Sequence, residues 1–403
     1  MSGPRGSDEL VVIGAGVMGA WTALEAVRAG WRTTLVDAFG AGHPRATSGD
    51  ETRIIRASHG PDAFLTQWSR DAREAWIAFG EEIGESVFVE AGAAWFAQRE
   101  DGFEAASLET LRSLGVPVER LSSDATSARW PQVAASDLAF TLFEPEAGLL
   151  MARRGVAAAA RRVVELGGTF EQAVARPGAS GSGRLHEVEL GDGRRLAADR
   201  FVFTCGPWLP RLFPDVVGDL IRVTKQDVCF VGPPGGDRRF EHESLPCWVD
   251  YDASYYGIPG VDGRGLKIAP DRYGPVFDPS RGDRLVDPDT VRLARAYLAR
   301  RFPELAGAPV VETRVCQYET TPDTQFVIDR HPEFENAWIV GGGSGHGFKH
   351  GPVIGRYVVD RLAGHEPGLE RARFRIGPRP VGEGGAGGMR TGADQIVAGW
   401  DGY

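Results

Sequence analysis

Apolar runs that end at a glycine open this chain, and they predict a buried strand, a tight turn and a helix. Residues 11–13 are β-branched without interruption and lead into Gly14, as is typical of a strand covered on both faces of a parallel sheet. Apolar side chains then recur at helical spacing over residues 18–29, and Gly30 ends the pattern. A second strand at residues 33–36 completes a predicted βαβ unit.

The same criteria predict elements farther along the chain. The predicted helices are 67–83, 102–114, 153–166 and 289–301, with another after residue 347. The predicted strands are 87–97, 140–150 (with a turn), 168–174, 186–190, 200–204 and 337–340, together with 226–231, 247–251, 254–258 and 265–269. The last four are interpreted as antiparallel strands of a separate, sheet-rich region.

These elements predict a mixed α/β (α+β) fold with two domains. A Rossmann-like domain that binds a dinucleotide is expected from residues 1–88, 148–217 and 320–378. A second, substrate-binding domain with an antiparallel sheet is expected from residues 89–147 and 218–319. Residues 379–403 contain a Gly-Gly-Ala-Gly-Gly stretch and little apolar periodicity, so we expect a loosely ordered tail there.

Composition narrows the classes of function. The chain has 403 residues, is 42% hydrophobic and carries a formal net charge of −10, which is ordinary for a globular protein. The acidic balance argues against nucleic-acid partners and against an anionic membrane surface. Residues 1–9 are polar and lack the apolar core of a secretory signal, and Glu25 and Arg28 interrupt the apolar run that follows. We therefore expect a cytoplasmic protein with a small-molecule substrate.

The cysteines suggest neither a metal site nor a disulfide framework. Cys205, Cys229, Cys247 and Cys316 are spaced too widely for a zinc motif or for a set of disulfides. Reduced thiols are expected for at least three of them, and no metal ion is expected.

The first glycine turn fits the dinucleotide-binding pattern G-x-G-x-x-G. Gly14 permits a tight turn, Gly16 lets the backbone approach a pyrophosphate, and Gly19 lets the helix pack closely on the strand. Asp37 follows about twenty residues later, where a carboxylate binds the ribose hydroxyls of an adenine dinucleotide. The motif does not distinguish FAD from NAD, and an ordinary βαβ unit with a close helix–strand contact is the alternative.

A second glycine-rich turn spans residues 341–347 and lies between a predicted strand and a predicted helix. A helix N-terminus stabilises anionic charge through its unpaired N–H groups and its dipole. Lys349 is expected in the first turn of that helix, where the dipole disfavours a cation, so a specific anionic partner is predicted. A flexible loop is the alternative.

Two arginines near the start of the chain are also candidates for binding an anion. Arg53 and Arg56 are separated only by Ile54 and Ile55. In a half-buried strand or turn, such a guanidinium can bind a carboxylate through two hydrogen bonds. Solvated surface arginines are the alternative.

With these motifs placed, the sequence resembles the monomeric sarcosine oxidase and N-methyl-amino-acid oxidase family, within the D-amino-acid-oxidase-like flavoproteins. The resemblance extends over about residues 10–378. The stretches that carry it are 13–19 with 36–39, 52–56, 316–318 with 326–329, and 345–349. It implies a monomer that binds FAD in the Rossmann-like domain.

The resemblance implies specific cofactor contacts. The residues that correspond to FAD contacts are Gly14, Gly16, Met18, Gly19, Asp37, Ala38, Val174, Gly206, Gly345, His346, Gly347, Phe348 and Lys349. It also implies a covalent thioether between Cys316 and the flavin 8α-methyl group. A plain buried thiol at Cys316 is the alternative.

The resemblance implies a carboxylate site as well. Arg56 and Lys349 correspond to the residues that hold the substrate carboxylate, with Tyr318 nearby. An amino-acid substrate needs such a cationic clamp, together with an apolar surface next to the flavin.

Three further residues correspond to catalytic positions of the family. Lys267 matches the lysine that activates oxygen, Arg53 an arginine close to the flavin, and Tyr256 a pocket tyrosine. A buried ammonium stabilises the negative charge that forms as oxygen is reduced. The implied reaction oxidises the C–N bond of a secondary amine to an imine, which water hydrolyses, and reduces O2 to H2O2.

The sequence departs from the family at three positions. Asp271 stands where the sarcosine enzymes have a histidine, Gly343 where they have an aromatic residue, and Cys247 where they have a methionine. Because the last two are smaller, we expect room for a larger or cyclic substrate such as L-pipecolate. Asp271 leaves open how the protonation of the amine is set.

Three other functions stay open on the sequence. An FAD dehydrogenase that passes electrons to a quinone or another carrier would not need Lys267. An NAD-dependent dehydrogenase would leave Cys316 and the second glycine turn unexplained. A non-catalytic flavin-binding protein would not need Arg56, Lys349 and Lys267 together.

Overall fold

Two large sheets organise the computed structural model, which describes residues 8–365, 368 and 370–378. The tail predicted at residues 379–403 and the polar residues 1–7 lie outside the described residues. Within them, no helix is both long enough and apolar enough to cross a membrane.

The first sheet has six strands and contains the βαβ unit. Its strands, in spatial order, are Val327–Arg330, Ala337–Gly341, Arg200–Phe203, Glu9–Ile13, Arg32–Asp37 and Thr169–Gln172. Neighbours pair in parallel except the first two, which are antiparallel. The β-branched run at residues 11–13 lies inside this sheet and pairs on both sides, which explains why both of its faces are apolar.

Successive side chains of the central strand point to opposite layers. Val12 packs among the helices Val17–Arg28, Ala152–Glu165 and Gly351–Leu362. Val11 packs on the other side, against the apolar residues of a smaller layer. The elements of that layer are the strands Ala175–Pro177, Ser180–Gly181, Arg184–Leu185, Glu187–Leu190 and Arg195–Ala197 and the short helices Leu209–Leu212 and Pro214–Val217. Both faces of the sheet are thereby covered.

The second sheet has eight strands. In spatial order these are Val310–Thr320, Arg222–Val231, Leu266–Pro270, Tyr255–Ile258, Cys247–Asp250, Ala93–Ala97, Phe140–Glu144 and Glu119–Leu121. All neighbours are antiparallel except Cys247–Asp250 and Ala93–Ala97, which are parallel. The helix Pro288–Arg301 packs on this sheet through Tyr297 and Leu298. The mixed α/β fold with a second, mostly antiparallel sheet is confirmed, and the domain boundaries stay a prediction.

A three-stranded sheet joins these two units. Its strands are Thr52–Ile55, Gly148–Met151 and Phe88–Val89. Thr52–Ile55 also contacts the strand Tyr255–Ile258 and the 3-10 turn Phe348–His350. The two arginines predicted to bind an anion therefore lie where the large sheets meet. The helices not yet named are Ala63–Ile83, Phe103–Ser113, Ser123–Arg129 and Glu370–Phe374.

The prediction of one strand over residues 87–97 is wrong. Phe88–Val89 and Ala93–Ala97 belong to different sheets. Gly92 between them has a φ of +75°, a conformation that turns the chain and that glycine adopts without a steric penalty.

Two predicted helix starts also differ. The helix expected at residue 67 begins at Ala63, because the Asp62 side chain accepts a hydrogen bond from the Leu65 N–H at 3.0 Å and caps it. Lys349 does not lie in the first turn of a helix. It lies in the 3-10 turn Phe348–His350, directly before the helix Gly351–Leu362.

Candidate functional site

Close backbone contacts shape the first glycine turn. Gly14 has a φ of +105°, and a Cβ there would lie 2.4 Å from the carbonyl oxygen of Thr204. A Cβ at Gly19 would lie 1.8 Å from the carbonyl oxygen of Gly14. At Gly16 there is room, since the nearest atom to a Cβ would be Ser48 Oγ at 3.4 Å. Packing therefore requires glycine at two of the motif positions, and the third keeps the approach to the helix N-terminus open.

This turn opens onto a cleft of about 410 Å³. Asp37 forms part of its wall, and the Asp37 carboxylate accepts hydrogen bonds from the N–H groups of Ala15 at 2.7 Å, Phe39 at 2.7 Å and Gly40 at 2.8 Å. Most residues predicted to contact a dinucleotide line this cleft, namely Gly14, Gly16, Met18, Asp37, Ala38, Val174, Gly206, Gly345, Gly347 and Phe348. The structure therefore brings the two glycine turns to one cleft.

A buried acid lies in the same cleft wall, beside the second glycine turn. The backbone carbonyl oxygen of Glu319 accepts a hydrogen bond from the Ser344 N–H at 2.9 Å. The side-chain Oε2 of Glu319 has no hydrogen-bond partner among the described residues. Burial raises the pKa of Glu319 to about 7, although the N–H groups of Gly342 and Gly343 oppose this rise. A carboxyl group that is partly neutral near physiological pH thus faces the cleft.

A smaller cavity of about 90 Å³ adjoins the cleft. Arg53, Tyr318, Gly345 and Phe348 line both spaces. The other walls of the small cavity are formed by Asp50, Ile54, Arg56, Trp95, Gln226, Val228, Val249, Tyr251, Tyr256, Asp271, Cys316, His346 and Lys349. The residues predicted to bind the substrate carboxylate are therefore brought together, next to the larger cleft.

Two cations in the small cavity have no carboxylate partner. The Lys349 ammonium donates a hydrogen bond to the His346 carbonyl at 3.2 Å. The Arg56 guanidinium donates to the Ser58 carbonyl and lies 5.0 Å from the centre of the Trp95 ring. No ion pair to either cation occurs in the described part of the chain. Burial lowers the pKa of both groups, and the charge of Arg56 lowers that of Lys349 further. The positive charges of Arg56 and Lys349 therefore favour the binding of an anion in the small cavity.

Lys267 does not line the cavity but lies behind Asp50. The Asp50 carboxylate accepts hydrogen bonds from Lys267, from Arg53 at 2.8 Å and from Arg314 at 3.3 Å. Lys267 also donates to the Thr52 carbonyl at 3.1 Å. Burial would raise the pKa of Asp50, but the charges of Lys267 and Arg53 outweigh it and lower that pKa. Burial lowers the pKa of Lys267, and Asp50 opposes the change. The Asp50 carboxylate is therefore the shared counterion of Lys267, Arg53 and Arg314.

Cys316 lies on the strand Val310–Thr320 and faces the small cavity. Its Sγ is 3.4 Å from Arg53 Nη2 and 3.7 Å from the Thr47 carbonyl oxygen. Cys205 lines the larger cleft instead, and burial raises the pKa of its thiol. Two cysteines are thus within reach of a ligand that fills both spaces.

Some predicted residues lie outside the cleft. Gly19 is packed inside the turn, and His346, Lys349 and Cys316 line the small cavity rather than the cleft. His346, Lys349 and Cys316 are separated from the first glycine turn, because the strand and the loop that carry them lie where the two large sheets meet.

The expectation that Gly343 and Cys247 enlarge the substrate pocket is not supported by their positions. Gly343 lines the larger cleft, and Cys247 packs in a buried cluster with Ala93 and Leu149. Of the three departures from the family, Asp271 lines the small cavity.

The sequence analysis missed several buried polar groups around the cavity. Asp50 lies three residues before Arg53 and six before Arg56. An acid this close to two arginines that were predicted to be buried was the sequence feature that could have indicated an ion pair. Glu319 follows Tyr318 directly but has no distinctive sequence context. His59, His346 and His350 are buried, with ring nitrogens within 4.8 Å of one another, and no local pattern links such distant positions.

Comparisons with known proteins identify the family. A family model described as FAD dependent oxidoreductase (DAO) matches residues 9–361. The chain belongs to this family. The oxidoreductase is 31% identical over 364 residues to a monomeric sarcosine oxidase of Streptomyces avermitilis, covering 87% of this chain and 92% of the other. It is 27% identical over 388 residues to an N-methyl-L-tryptophan oxidase of Salmonella arizonae, covering 91% and 98%. The resemblance inferred from the motifs is confirmed.

A solved structure supports the fold assignment of the oxidoreductase. A modified fructosyl peptide oxidase from Aspergillus nidulans has a TM-score of 0.80 at 21% sequence identity, covering 95% of each chain. At this level of identity, the likeness concerns the fold alone.

The cleft of the oxidoreductase fits FAD. Gly16 lines the cleft without a side chain, so that a pyrophosphate can approach the backbone, and Asp37 is positioned in the wall for the ribose. The unpartnered Oε2 of Glu319 offers a further hydrogen-bonding position in the cleft.

Proposed function

We propose that this oxidoreductase oxidises the C–N bond of secondary-amine amino acids of the sarcosine and N-methyl-amino-acid type. The observation that carries the proposal is the pair of buried cations, Arg56 and Lys349, that face a small cavity without a carboxylate partner. A substrate carboxylate supplies the missing charge. The cavity adjoins the cofactor cleft, so a carboxylate bound there positions the adjacent C–N bond near the boundary.

Each part of the site has a role in this reaction. When bound, FAD accepts the two electrons that leave the amine. Arg56 and Lys349 bind and orient the carboxylate. Phe348 and Tyr318 lie at the boundary between the two spaces and limit the access of water. The amine becomes an imine, and water hydrolyses the imine after release.

Oxygen is the proposed electron acceptor, and H2O2 the proposed second product. Lys267 supports this choice, because a buried ammonium stabilises negative charge as O2 is reduced. Asp50 keeps that ammonium in place. A dehydrogenase that uses another carrier would not need this buried lysine.

We also propose that Cys316 holds the flavin covalently, and that the protein is a cytoplasmic monomer with the two domains given above. The position of Cys316 in the cavity wall, beside the Arg53 guanidinium, supports attachment. The thioether would replace the S–H bond of Cys316 and one C–H bond of the flavin 8α-methyl group, the two protons would pass to solvent or to the flavin, and the two electrons would reduce the flavin, which O2 would reoxidise.

The test of the proposed function uses the purified protein in air. Sarcosine, N-methyl-L-amino acids and L-pipecolate are supplied in turn, and oxygen consumption and peroxide are measured. We expect stoichiometric peroxide with at least one secondary-amine acid and a much lower rate of peroxide formation with the matching amine that lacks a carboxylate. Flavin bleaching without oxygen consumption would favour a dehydrogenase, and the absence of bleaching by every amine would refute the proposal.

A further inference from the structure

We propose that His59, His346 and His350 form a binding site for a divalent metal ion that prefers imidazole ligands, with Zn²⁺ as the first candidate. The site goes beyond the proposed oxidation of amines and does not depend on it. It departs from the expectation that no metal ion is bound, which was drawn from the spacing of the cysteines. The basis is the geometry of three buried rings whose nitrogens lack hydrogen-bond partners.

The three imidazole rings converge on one point. One ring nitrogen of each histidine lies within 4.8 Å of the nitrogens of the other two. The ring centres are farther apart, at 5.6 Å for His59 and His346, 5.6 Å for His59 and His350, and 6.1 Å for His346 and His350. The nitrogens therefore face one another. Since Zn–N bonds are about 2.0–2.1 Å long, each ring would close on a central ion by about 0.7 Å or less.

Each ring has a nitrogen that is available for coordination. His346 Nε2 donates a hydrogen bond to the Thr324 carbonyl at 2.9 Å, and His59 Nε2 lies 3.0 Å from Ser69 Oγ. The Nδ1 atoms of His59 and His346 and both ring nitrogens of His350 have no partner within the described chain. Metal-bound histidines commonly donate their other N–H to an oxygen in this way, which fixes the ring and turns its lone pair toward the metal.

The surroundings leave these nitrogens without solvent. The exposed fractions of His59 and His350 are 0%, and that of His346 is 6%. The Phe326 ring lies 5.1 Å from the His346 ring and 5.4 Å from the His350 ring, between ring centres. Buried polar atoms are unfavourable unless a partner satisfies them. A metal ion at the centre of the cluster would pair with one nitrogen of each ring.

Nearby positive charges limit which ions can bind. Burial, followed by the charges of Lys349 and Arg56, holds the pKa of each ring well below its ordinary value. The rings are therefore neutral, as metal ligands must be, but the same charges oppose any cation. Mg²⁺ and Ca²⁺, which prefer oxygen ligands, are thereby excluded. Zn²⁺ and Cu²⁺ bind imidazole tightly enough to remain candidates.

The position of the cluster gives the ion a structural role. His59 follows Arg56 by three positions, and His350 follows Lys349 directly, with His346 three positions before that lysine. An ion held by the three histidines would join the two segments that carry the cations of the small cavity. It would thereby fix the distance between these segments.

The test measures zinc binding to the flavin-loaded protein. The protein is treated with a chelator and dialysed against a series of buffered Zn²⁺ concentrations, and bound zinc is determined by elemental analysis. We expect one ion per chain and no comparable binding of Mg²⁺. His350→Phe and His59→Phe each remove one ligand and should weaken zinc binding by at least about 100-fold. His331→Phe, which changes a buried ring stacked on Phe334 outside the cluster, is the matched control and should keep the wild-type affinity.

Two further measurements on the same proteins separate loss of the site from loss of the fold. X-ray absorption at the zinc edge of the wild type should show three imidazole nitrogens, a result that needs no variant. Zinc should raise the Tm of the wild type and of His331→Phe, but not that of His350→Phe or His59→Phe. The inference would be overturned by a wild type that binds no stoichiometric zinc, or by wild-type affinity in both cluster variants. Such a result would leave the proposed oxidation of amines untouched, since that function is measured without added metal.

Discussion

The ammonium of Lys267 donates a hydrogen bond to the carboxylate of Asp50, and both side chains are almost completely buried. Arg53 donates to the same carboxylate at 2.8 Å. Removing one partner of a buried ion pair leaves an uncompensated charge, which is strongly unfavourable. Asp50 is therefore a positioning residue for Lys267, the cation proposed to act on oxygen, and for Arg53.

Asp50→Asn should lower the pKa of Lys267 further, because its countercharge is lost while burial remains. Lysine acts on oxygen only when it is protonated, so reaction of the reduced protein with O2 should slow by at least about tenfold. The rate of reaction with O2 should also begin to fall at a lower pH in the variant than in the wild type as the pH is raised. Stopped-flow mixing of the reduced protein with O2 between pH 6 and 9 measures both effects.

Glu51→Gln is the control for this variant. Glu51 pairs with Arg314 at 3.0 Å, but Lys267 makes no ion pair with it in the described chain. The control should retain the wild-type pH profile. An Asp50→Asn profile with the same midpoint as the wild type would contradict the assigned role of Asp50.

Lys349→Met should weaken the binding of the substrate carboxylate. A hydrogen bond to a charged group contributes about 1.5–3 kcal/mol, so KM should rise roughly 10- to 150-fold with a smaller change in kcat. Secondary amines without a carboxylate are the control and should be oxidised equally by both proteins. A similar loss for these amines would indicate a general structural defect.

The same lysine gives the reaction a pH dependence. Burial, followed by the charge of Arg56, lowers the pKa of Lys349 well below its ordinary value. The free protein therefore loses this proton at a lower pH than an exposed lysine would, and kcat/KM should fall as the pH rises through that pKa. Since the charged form binds the carboxylate, substrate binding takes up a proton. Lys349→Met should lack this alkaline decrease.

Local rules explain which parts of the fold could be predicted. The β-branched run at residues 11–13 and the glycines after it meet requirements that arise within a few positions, so the sequence shows them directly. The prediction of one strand at 87–97 fails for the opposite reason. Apolar content does not reveal that the chain changes sheets at Gly92, because this depends on what each half packs against.

Long-range contacts explain what could not be predicted in the cavity. Asp50 and Lys267 are 217 positions apart and meet only because the sheets are brought together. Arg56 and Lys349 were connected through family resemblance, not through any local pattern. For Cys247 the family resemblance was misleading. It led us to expect this residue near the substrate pocket, but Cys247 packs in a buried apolar cluster.

Cys316→Ala should release the flavin. Acid precipitation of the wild-type protein should leave the yellow colour in the pellet, and the variant should release it into the supernatant. Cys205→Ala is the matched control, because Cys205 is half-buried and lines the cleft. Retention of colour by Cys316→Ala together with its loss from Cys205→Ala would assign the attachment to the other cysteine.

Glu319→Gln should change the pH dependence of stability. Burial raises the pKa of Glu319 from 4.5 to about 7, so the folded protein favours the neutral carboxyl. Its stabilising contribution is complete below the unfolded pKa and is lost as the pH rises through the folded pKa. Between pH 5 and pH 8 this amounts to roughly 2.5 kcal/mol. Because glutamine does not ionise, the variant should gain about that much stability relative to the wild type over this range. Urea unfolding of both proteins in the same cofactor state measures the difference, with the exposed Glu74→Gln as control. A difference that stays constant with pH would show that Glu319 is not held in its neutral form.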